Sequence, residues 1–355
     1  MERCVPGRLN RPLLPRTLIR LVLSAALIVL SYAAPRAAAN APIRAFWVSR
    51  SALESPDTIR RALASAVSDG FDTVMMPVVL GDGEMLGFDG AREMLEEARV
   101  RNLRVHAWVE VNVAAGVGEL PASRDHVLYQ HPEWLMVPRE LAPEVLNMDV
   151  RSPAYLGRLA RWARLNTPRV DGLYVSPLDP EAAAYLATEV SAAVKRYTVD
   201  GVVLGAVRFP GSDFDYSRHA MEIFRAERRP ALTPAERTRL DEVEAIDPFG
   251  YAEEFPDEWR QFRQSRLTAL MSRVKTALAA VSPALVVSAG VVSDPDTALT
   301  DSFQDWRTWM GTGLVDGIGR RNGTSGTIVF TADGLSAAAA PLPVLSQPAR
   351  ATGPR

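Results

Sequence analysis

The sequence has little of the chemistry that metal and redox enzymes need. Its only cysteine, Cys4, lies near the amino terminus, and its four histidines do not have the spacing of metal ligands. The sequence also lacks a glycine-rich phosphate loop and the serine turn of α/β hydrolases. We therefore expect no cofactor, no catalytic metal, and neither a thiol nor a serine nucleophile.

The first 39 residues form a segment of a different kind. Five arginines precede an apolar run over residues 21–34, and the small residues Ala37-Ala38-Ala39 follow a few positions later. This order is typical of a secretory signal peptide, with cleavage after Ala39. An uncleaved membrane anchor is the alternative, but the run is shorter than the ~20 residues of a spanning helix. We expect a secreted or periplasmic protein with no stable membrane anchor after cleavage.

The composition is that of a globular protein, with 47% hydrophobic and 23% charged residues. Residues 1–39 contain six Arg and one Glu, so their removal would change the formal net charge from −2 to −7. A mildly acidic protein is a poor binder of nucleic acid. After residue 334 the sequence is rich in Ala and Pro and has no helical pattern. We predict a signal peptide (1–39), one folded domain (40–334) and a loosely ordered tail (335–355).

Strand and helix patterns alternate through the folded domain at the spacing of βαβ units. The eight strand-like segments are residues 43–48, 72–79, 103–110, 171–175, 202–207, 285–292, 314–318 and 327–331. This pattern predicts an α/β fold, a (β/α)8 barrel of the TIM-barrel type. Only residues 319–326 separate the last two segments, which is too short for a parallel crossover. Either these strands are not parallel neighbours, or a unit of the barrel is missing.

Arg208 follows the buried segment 202–207, at the carboxyl end of a predicted parallel strand. Ligands of α/β barrels bind at that end of the strands. The guanidinium could clamp a sugar hydroxyl or a carboxylate, or it could form a structural ion pair with Asp213 or Asp215. We expect the functional site to lie beside Arg208.

Large polar side chains alternate along the segment 103–110. His106, Trp108 and Glu110 share the face that points into the predicted barrel, and Glu110 is at its carboxyl end. Glu110 is the best candidate for a catalytic carboxylate, and a salt-bridged rim residue is the alternative. His106 lies deeper, so a hydrogen-bonded core histidine competes with a substrate contact.

Further candidates each have a structural alternative. Asp179 could supply a second carboxylate, but its place before Pro180 also fits a helix N-cap. Asp213, close to Arg208 in sequence, could bind substrate or serve as the second carboxylate. Trp47 and Trp108 could stack on sugar rings, although tryptophans more often pack in a core.

Several segments, in this order along the chain, resemble the secreted family called glycosyl hydrolase-like family 10. They are residues 44–48, 105–108, 131–135, 178–180, 196–201, 207–210, 214–216, 259–264, 287–289 and 303–306. The resemblance implies a TIM barrel that hydrolyses glycosidic bonds, with a carbohydrate ligand at the carboxyl ends of the strands.

The sequence departs from this family in two ways. The resemblance implies His at the position of Val203 and Asp at that of Gly205, and this chain has neither. It also implies another strand and helix between Ile318 and Thr327. The strand that should carry the family's acidic group therefore has no acid or base on its inward face.

Three hypotheses follow from these observations. The chain is an exported glycoside hydrolase that uses Glu110 as general acid with Asp179 or Asp213, or it is a barrel that binds glycan through Arg208 and the aromatic residues without catalysis. The third is a truncated barrel whose exposed strand edges prevent stable folding. The family resemblance favours the first hypothesis. The absence of the implied His and Asp at positions 203 and 205 favours the second.

Overall fold

The computed structural model describes residues 43–78, 80, 90–118, 120–205, 207–321 and 327–331. The predicted signal peptide and the predicted tail lie outside these described residues. Within the described part of the chain, no helix has both the length and the apolar character needed to cross a membrane.

Seven of the described β-strands form a closed barrel in the order β1-β2-β3-β6-β7-β8-β9. The strands are β1 (Ile43–Trp47), β2 (Thr73–Val78), β3 (Arg104–Glu110), β4 (Val113–Gly116), β5 (Gly172–Tyr174), β6 (Gly201–Gly205), β7 (Val286–Val291), β8 (Gly317–Arg321) and β9 (Thr327–Thr331). The barrel neighbours from β1 to β8 all pair in parallel. Their carboxyl ends therefore meet at one mouth, as in TIM barrels.

Strand β9 closes the barrel by running against both of its neighbours. It pairs antiparallel with β8, where Phe330 lies opposite Gly319, and with β1, where Ile328 lies opposite Ala45. An antiparallel pair can be joined by a short connection, which a parallel pair cannot. The last two strands are thus not parallel neighbours, and the predicted fold class, an incomplete TIM-barrel-like α/β fold, is confirmed.

Strands β4 and β5 form a separate two-stranded sheet beyond the mouth. They pair antiparallel, with Tyr174 opposite Val113 and Gly172 opposite Gly116. Strand β4 starts three residues after β3 ends, so it continues outward from the carboxyl end of the barrel. The placement of segment 171–175 in the barrel wall, assumed in the count of eight strands, is therefore wrong.

Helices cover the outside of the barrel and fill the long segment after β6. They are α1 (Pro56–Ser68), α2 (Gly90–Val100), α3 (Val127–Gln130), α4 (Ala142–Val145), α5 (Pro153–Leu165), α6 (Pro180–Lys195), α7 (Arg218–Arg228), α8 (Pro234–Glu244), α9 (Gly250–Glu254), α10 (Pro256–Val281), α11 (Pro295–Asp301) and α12 (Trp306–Gly311). Short 3₁₀ helices occur at Arg50–Leu53, Pro132–Trp134 and Arg229–Ala231. Helices α6 and α10 pack against each other.

Aspartates stabilise the end of the barrel that lies opposite the mouth. Asp200 accepts a hydrogen bond from the Val105 backbone N–H at 2.8 Å, and Asp316 accepts one from Val287 at 2.9 Å. Both contacts tie the start of one strand to the turn before its neighbour. This placement supports structural roles, because the site of a barrel lies at the other end.

Candidate functional site

The inward face of β3 determines what fills the barrel interior. Its register with β6 sets His106 opposite Gly201 and Glu110 opposite Gly205, with Trp108 between them. His106 therefore lies deepest in the barrel interior, and Glu110 lies at the mouth. This is the alternation that the sequence predicts.

His106 is enclosed in the barrel and does not reach the mouth. Its side chain is 1% exposed, and burial, helped by the nearby charge of Arg104, lowers the pKa of the imidazole to about 4. It is therefore neutral at pH 7. Among the described residues, Nδ1 has no hydrogen-bond partner. The prediction of a core histidine fits this position, but the hydrogen bond expected at this nitrogen is missing.

Trp108 lies directly against two glycines of the neighbouring strands. A Cβ atom built on Gly205 would lie 2.5 Å from Cε2 and Nε1 of the indole, and one on Gly290 would lie 3.1 Å from Cη2. A contact of 2.5 Å is impossible for a real side chain, whereas glycine leaves that space open. The indole thus occupies the volume into which a residue at position 205 would project its side chain.

A second tryptophan completes this layer of the interior. Trp47, at the carboxyl end of β1, meets Trp108 edge to face, with ring centroids 5.3 Å apart and planes at 88°. Such a geometry is favourable for aromatic pairs. Below the two rings lie the buried side chains of Ala45, Met75 and Val203. The two indoles are therefore supported from beneath by a packed core.

Glu110 is held by the tryptophan that precedes it on the same face. The indole Nε1–H of Trp108 donates to Glu110 Oε1 at 2.6 Å, at an exposed position. The contact fixes the carboxylate at the rim and also orients the indole. Glu110 is thus neither a free acid nor a residue held only by an ion pair.

A cavity of about 680 Å³ opens at the mouth between β3 and the β4–β5 sheet. Its polar side chains include Glu110, Asp171, Arg50 and His126. The remaining lining is largely aromatic and aliphatic and includes Trp47, Trp108, Val111, Val113, Val127 and Val175. Mostly apolar walls with a few polar groups are typical of small-molecule sites.

Arg208 joins the barrel to the β4–β5 sheet through Asp171. Its Nη2 donates to Asp171 Oδ2 at 2.6 Å, and the Tyr174 hydroxyl donates to the same oxygen at 2.9 Å. Burial lowers the pKa of the guanidinium, but Tyr174, Asp171 and Glu110 together raise it above its ordinary value. The alternative of an ion pair between Arg208 and Asp213 or Asp215 is therefore wrong, because the carboxylate that Arg208 contacts is that of Asp171.

The side chain of Asn112 holds the backbone of Arg208 by two hydrogen bonds. Its amide group donates to the Arg208 carbonyl at 2.9 Å, and its side-chain oxygen accepts from the Arg208 N–H at 3.2 Å. The Asn112 carbonyl also accepts from the Val175 N–H at 2.8 Å. This fully buried side chain thus links the ends of β3, β5 and β6.

Asp179 caps a helix and lies outside the lining of the mouth cavity. Its Oδ1 accepts from the backbone N–H groups of Glu181 at 2.6 Å and Ala182 at 3.1 Å, and Oδ2 lies 2.6 Å from His219 Nε2. Burial raises the pKa of Asp179, but these hydrogen bonds outweigh burial and lower it overall. The structural alternative, an N-cap, is confirmed.

Asp213 is also engaged elsewhere. Its carboxylate forms an ion pair with Arg169, and its backbone carbonyl accepts from the Arg139 N–H at 2.9 Å. Asp213 is not among the residues that line the mouth cavity. Of the predicted site residues, the structure therefore brings together Trp47, Trp108 and Glu110, with Arg208 adjoining them, and leaves His106, Asp179 and Asp213 outside the cavity.

The described ranges contain no cluster of side chains suited to a metal site. Within them, no group of three or more His, Cys, Asp or Glu side chains could hold a metal ion. The polar groups of the mouth cavity include two carboxylates, a guanidinium, an imidazole and the hydroxyl of Tyr185. The surroundings of the site suit hydrogen bonding to a polar organic ligand.

A family model described as "Glycosyl hydrolase-like 10" matches residues 75–322. The chain belongs to this family. The matched residues start within β2 and include all of β8, so they contain Trp108, Glu110 and Arg208 but not Trp47. Membership of the glycosyl hydrolase-like 10 family confirms the resemblance on which the sequence-based expectations rest.

Curated relatives include "Glycosyl hydrolase DigH" of Escherichia coli K12 and of Shigella flexneri. Each is 26% identical over an alignment of 261 residues and covers 66% of this chain and 46% of the relative. The chain thus spans about half the length of the curated relatives it matches. Four matches of this kind share the same description.

Two solved structures with partial structural similarity to this chain are a glycoside hydrolase domain and a β-galactosidase. The PgaB (BpsB) glycoside hydrolase domain from Bordetella bronchiseptica is 13% identical, with a TM-score of 0.40 over 78% of this chain and 73% of that one. A β-galactosidase from Rahnella sp. R3 is 15% identical, with a TM-score of 0.45 over 75% of this chain and 37% of that one.

Asp171 is the site residue that sequence reasoning missed. The sequence predicts segment 171–175 as a barrel strand, and the first residue of a parallel barrel strand lies at the end opposite the mouth. Because β5 pairs antiparallel with β4 beyond the mouth, Asp171 lies beside the cavity instead. No sequence pattern singles it out, because the predicted segment 171–175 has the length of an ordinary strand.

Proposed function

We propose that this member of the glycosyl hydrolase-like 10 family is exported and binds a polysaccharide or cell-wall glycan in the mouth cavity, with hydrolysis weakened or lost. The signal-peptide pattern of residues 1–39 is the support for export. Family membership supports a carbohydrate ligand. The geometry around Trp108 supports the loss of catalysis.

The observation that carries the proposal is the contact between Trp108 and Gly205. The resemblance to the family implies an acidic group at position 205, where this chain has glycine and the indole fills the side-chain volume. Hydrolysis generally needs two carboxyl groups, separated by ~5–5.5 Å or by ~6.5–9.5 Å. Here the second carboxyl group of the family is missing, and its space is occupied by a ring that suits binding.

The same ring suits a carbohydrate. Sugar rings present apolar C–H faces that pack well against aromatic side chains, and the cavity offers Trp47 and Trp108. Glu110 and Asp171 can accept hydrogen bonds from sugar hydroxyls at the rim, and Arg208 can donate them. A volume of about 680 Å³ lies within the range of small-molecule sites.

Hydrolysis by a different carboxyl pair is the second candidate. Glu110 and Asp171 both line the cavity, and both raise the pKa of Arg208. Glu110 would act as general acid, while Asp171 would replace the missing acidic group. Asp179 and Asp213 are less suitable as the second carboxylate, because the first caps α6 and the second pairs with Arg169.

Binding and turnover measured side by side distinguish these two functions. Short oligosaccharides from bacterial cell-wall glycan and from neutral polysaccharides would be titrated calorimetrically into the purified protein, and reducing ends would be measured in the same mixtures. Saturable binding that is weakened at least tenfold in Trp108→Ala, without release of reducing ends, supports the proposal. Turnover that is abolished by both Glu110→Gln and Asp171→Asn supports the hydrolase, and absence of any binding contradicts both.

A further inference from the structure

A second cavity, of about 280 Å³, lies among α4, α5 and the start of α7. None of its lining residues lines the mouth cavity. Its wall is apolar on one side, with Val137, Ala142, Val145, Leu146, Met148 and Val150. Its polar side is formed by Glu133, Asp149, Tyr155, Arg218, His219 and Glu222.

The charges around this cavity are mainly negative. Glu133, Asp149 and Glu222 contribute three carboxylates, and Arg218 contributes one guanidinium. The fully buried Asp215 lies close enough that its charge, like that of Glu133, raises the pKa of the Tyr155 hydroxyl, for which burial is the largest cause. An excess of negative charge favours a cationic ligand.

Among the described residues, none of the three carboxylates forms an ion pair with a lysine or an arginine, and Glu133 contacts a histidine. Glu133 Oε1 lies 3.1 Å from His131 Nδ1, and Asp149 accepts from the Arg151 backbone N–H at 3.0 Å. In the described part of the chain, Glu222 has no ion-pair partner, and Arg218 bonds only to Asn147 Oδ1 at 3.2 Å. The cavity therefore keeps acceptors that a cation could use.

Tyr155 gives independent evidence for a ligand. Its side chain is only 3% exposed, and among the described residues the hydrogen bond found for Tyr155 is that of its backbone N–H, with none at the hydroxyl. Leaving a buried hydroxyl unpaired is costly. Tyr155 lines the cavity, so a molecule held there can supply the missing partner. The hydroxyl is thus positioned to bond to a molecule in the cavity.

We propose that this cavity is a binding site for a small ligand that carries a primary ammonium group, such as an amino sugar residue or a small alkylamine. The ammonium donates to Glu133 and is attracted by Asp149 and Glu222, and the Tyr155 hydroxyl bonds to a neighbouring polar atom of the ligand. The small volume limits the ligand to one ring or a short chain.

Matched ligands test the requirement for the amine. Glucosamine, N-acetylglucosamine and ethanolamine would each be titrated into the purified full-length chain at low salt and followed by NMR or calorimetry. Saturable binding of glucosamine at least tenfold tighter than N-acetylglucosamine is expected, because acetylation removes the charge. Equal affinity for the two sugars would overturn the proposal. Ethanolamine binding as tightly as glucosamine supports the site and identifies a simple amine as sufficient, whereas tighter binding of glucosamine indicates a contribution from the sugar ring.

Matched variants test the location. Tyr155→Phe removes only the hydroxyl, and Glu133→Gln removes only a charge, so both should leave the thermal unfolding temperature close to that of the parent. We expect about fivefold weaker binding for the first and at least tenfold weaker binding for the second. Glu254→Gln, at an exposed carboxylate paired with Arg239, is the control and should leave the affinity unchanged. Unchanged affinity in both cavity variants, or equal loss in the control, would overturn the assignment.

Discussion

The indole of Trp108 and the α-carbon of Gly205 are in direct contact at the mouth of the barrel, so closely that a Cβ at position 205 would lie 2.5 Å from the ring. The two residues lie on neighbouring strands, β3 and β6, whose register brings their inward faces together. The large side chain of Trp108 on β3 is thus accommodated by a glycine, Gly205, on β6. This match links the sequence departure at position 205 to a physical consequence in the site.

Restoring the acidic residue alone should destabilise the barrel. Gly205→Asp would force Trp108 out of its place, and overpacking of this kind costs about 1–3 kcal/mol. We expect a lower unfolding temperature in a thermal scan, accompanied by a change in tryptophan fluorescence. In the double variant Gly205→Asp, Trp108→Ala the clash is relieved, so the two effects should be non-additive. An unfolding temperature and fluorescence spectrum of Gly205→Asp equal to those of the parent would refute the contact.

The ion pair between Arg208 and Asp171 should matter for binding more than for stability. Both side chains are partly exposed, at 27% and 62%, so the pair contributes ~0–1 kcal/mol to folding. Asp171→Asn should weaken glycan binding by about three- to tenfold, because the guanidinium loses the partner that orients it. The comparison variant is Arg169→Met, which breaks the ion pair of Asp213 outside the cavity and should leave glycan affinity unchanged. Calorimetric titration measures both, and equal affinities of Asp171→Asn and the parent would count against a role for the pair.

The buried carboxylate of Asp215 predicts a pH dependence of stability. Burial raises its pKa to about 6, although it accepts hydrogen bonds from the backbone N–H groups of Val137 and Ser217 and from the side chains of Ser176 and Ser217. Because the pKa in the folded state is higher than in the unfolded state, the stabilisation is complete below about pH 4 and is lost as the pH rises to about 6. A shift of about two units corresponds to roughly 3 kcal/mol at most.

Asp215→Asn isolates this contribution. The amide does not ionise, so the free energy of unfolding of the variant, measured by urea denaturation and expressed relative to the parent, should rise between pH 4 and pH 6 and level off above. Any loss of hydrogen bonds in the variant shifts this difference by a constant amount and leaves its slope intact. A difference that is flat across this range would show that Asp215 titrates normally.

Local sequence patterns predicted much of the site because they depend on neighbours along the chain. The alternation of His106, Trp108 and Glu110 follows from the twofold period of a strand, and the N-cap of Asp179 follows from the Pro180 beside it. The short spacing before Thr327 leaves two possibilities, that the last two strands are not parallel neighbours or that a unit of the barrel is missing. What settles it is pairing with β1, which is remote in sequence.

The contacts that sequence reasoning missed are those between remote segments. Arg208 and Asp171 are 37 positions apart, and they meet because β5 leaves the barrel to pair with β4. The occupation of the space at Gly205 by Trp108 likewise depends on the register of β3 with β6. Neither a turn motif nor a periodicity carries that information, so the aspartates nearest to Arg208 in sequence were the natural but incorrect choice.

The most direct test of the central claim is the number of reducing ends released per molecule of protein at a glycan concentration that saturates binding. With Trp108 in the space of the family's acidic group, we predict no release above that of a protein-free control over a day, while calorimetry shows the glycan bound. Repeated turnover by the parent chain that disappears in Glu110→Gln would contradict the account and establish the mouth cavity as a working hydrolase site.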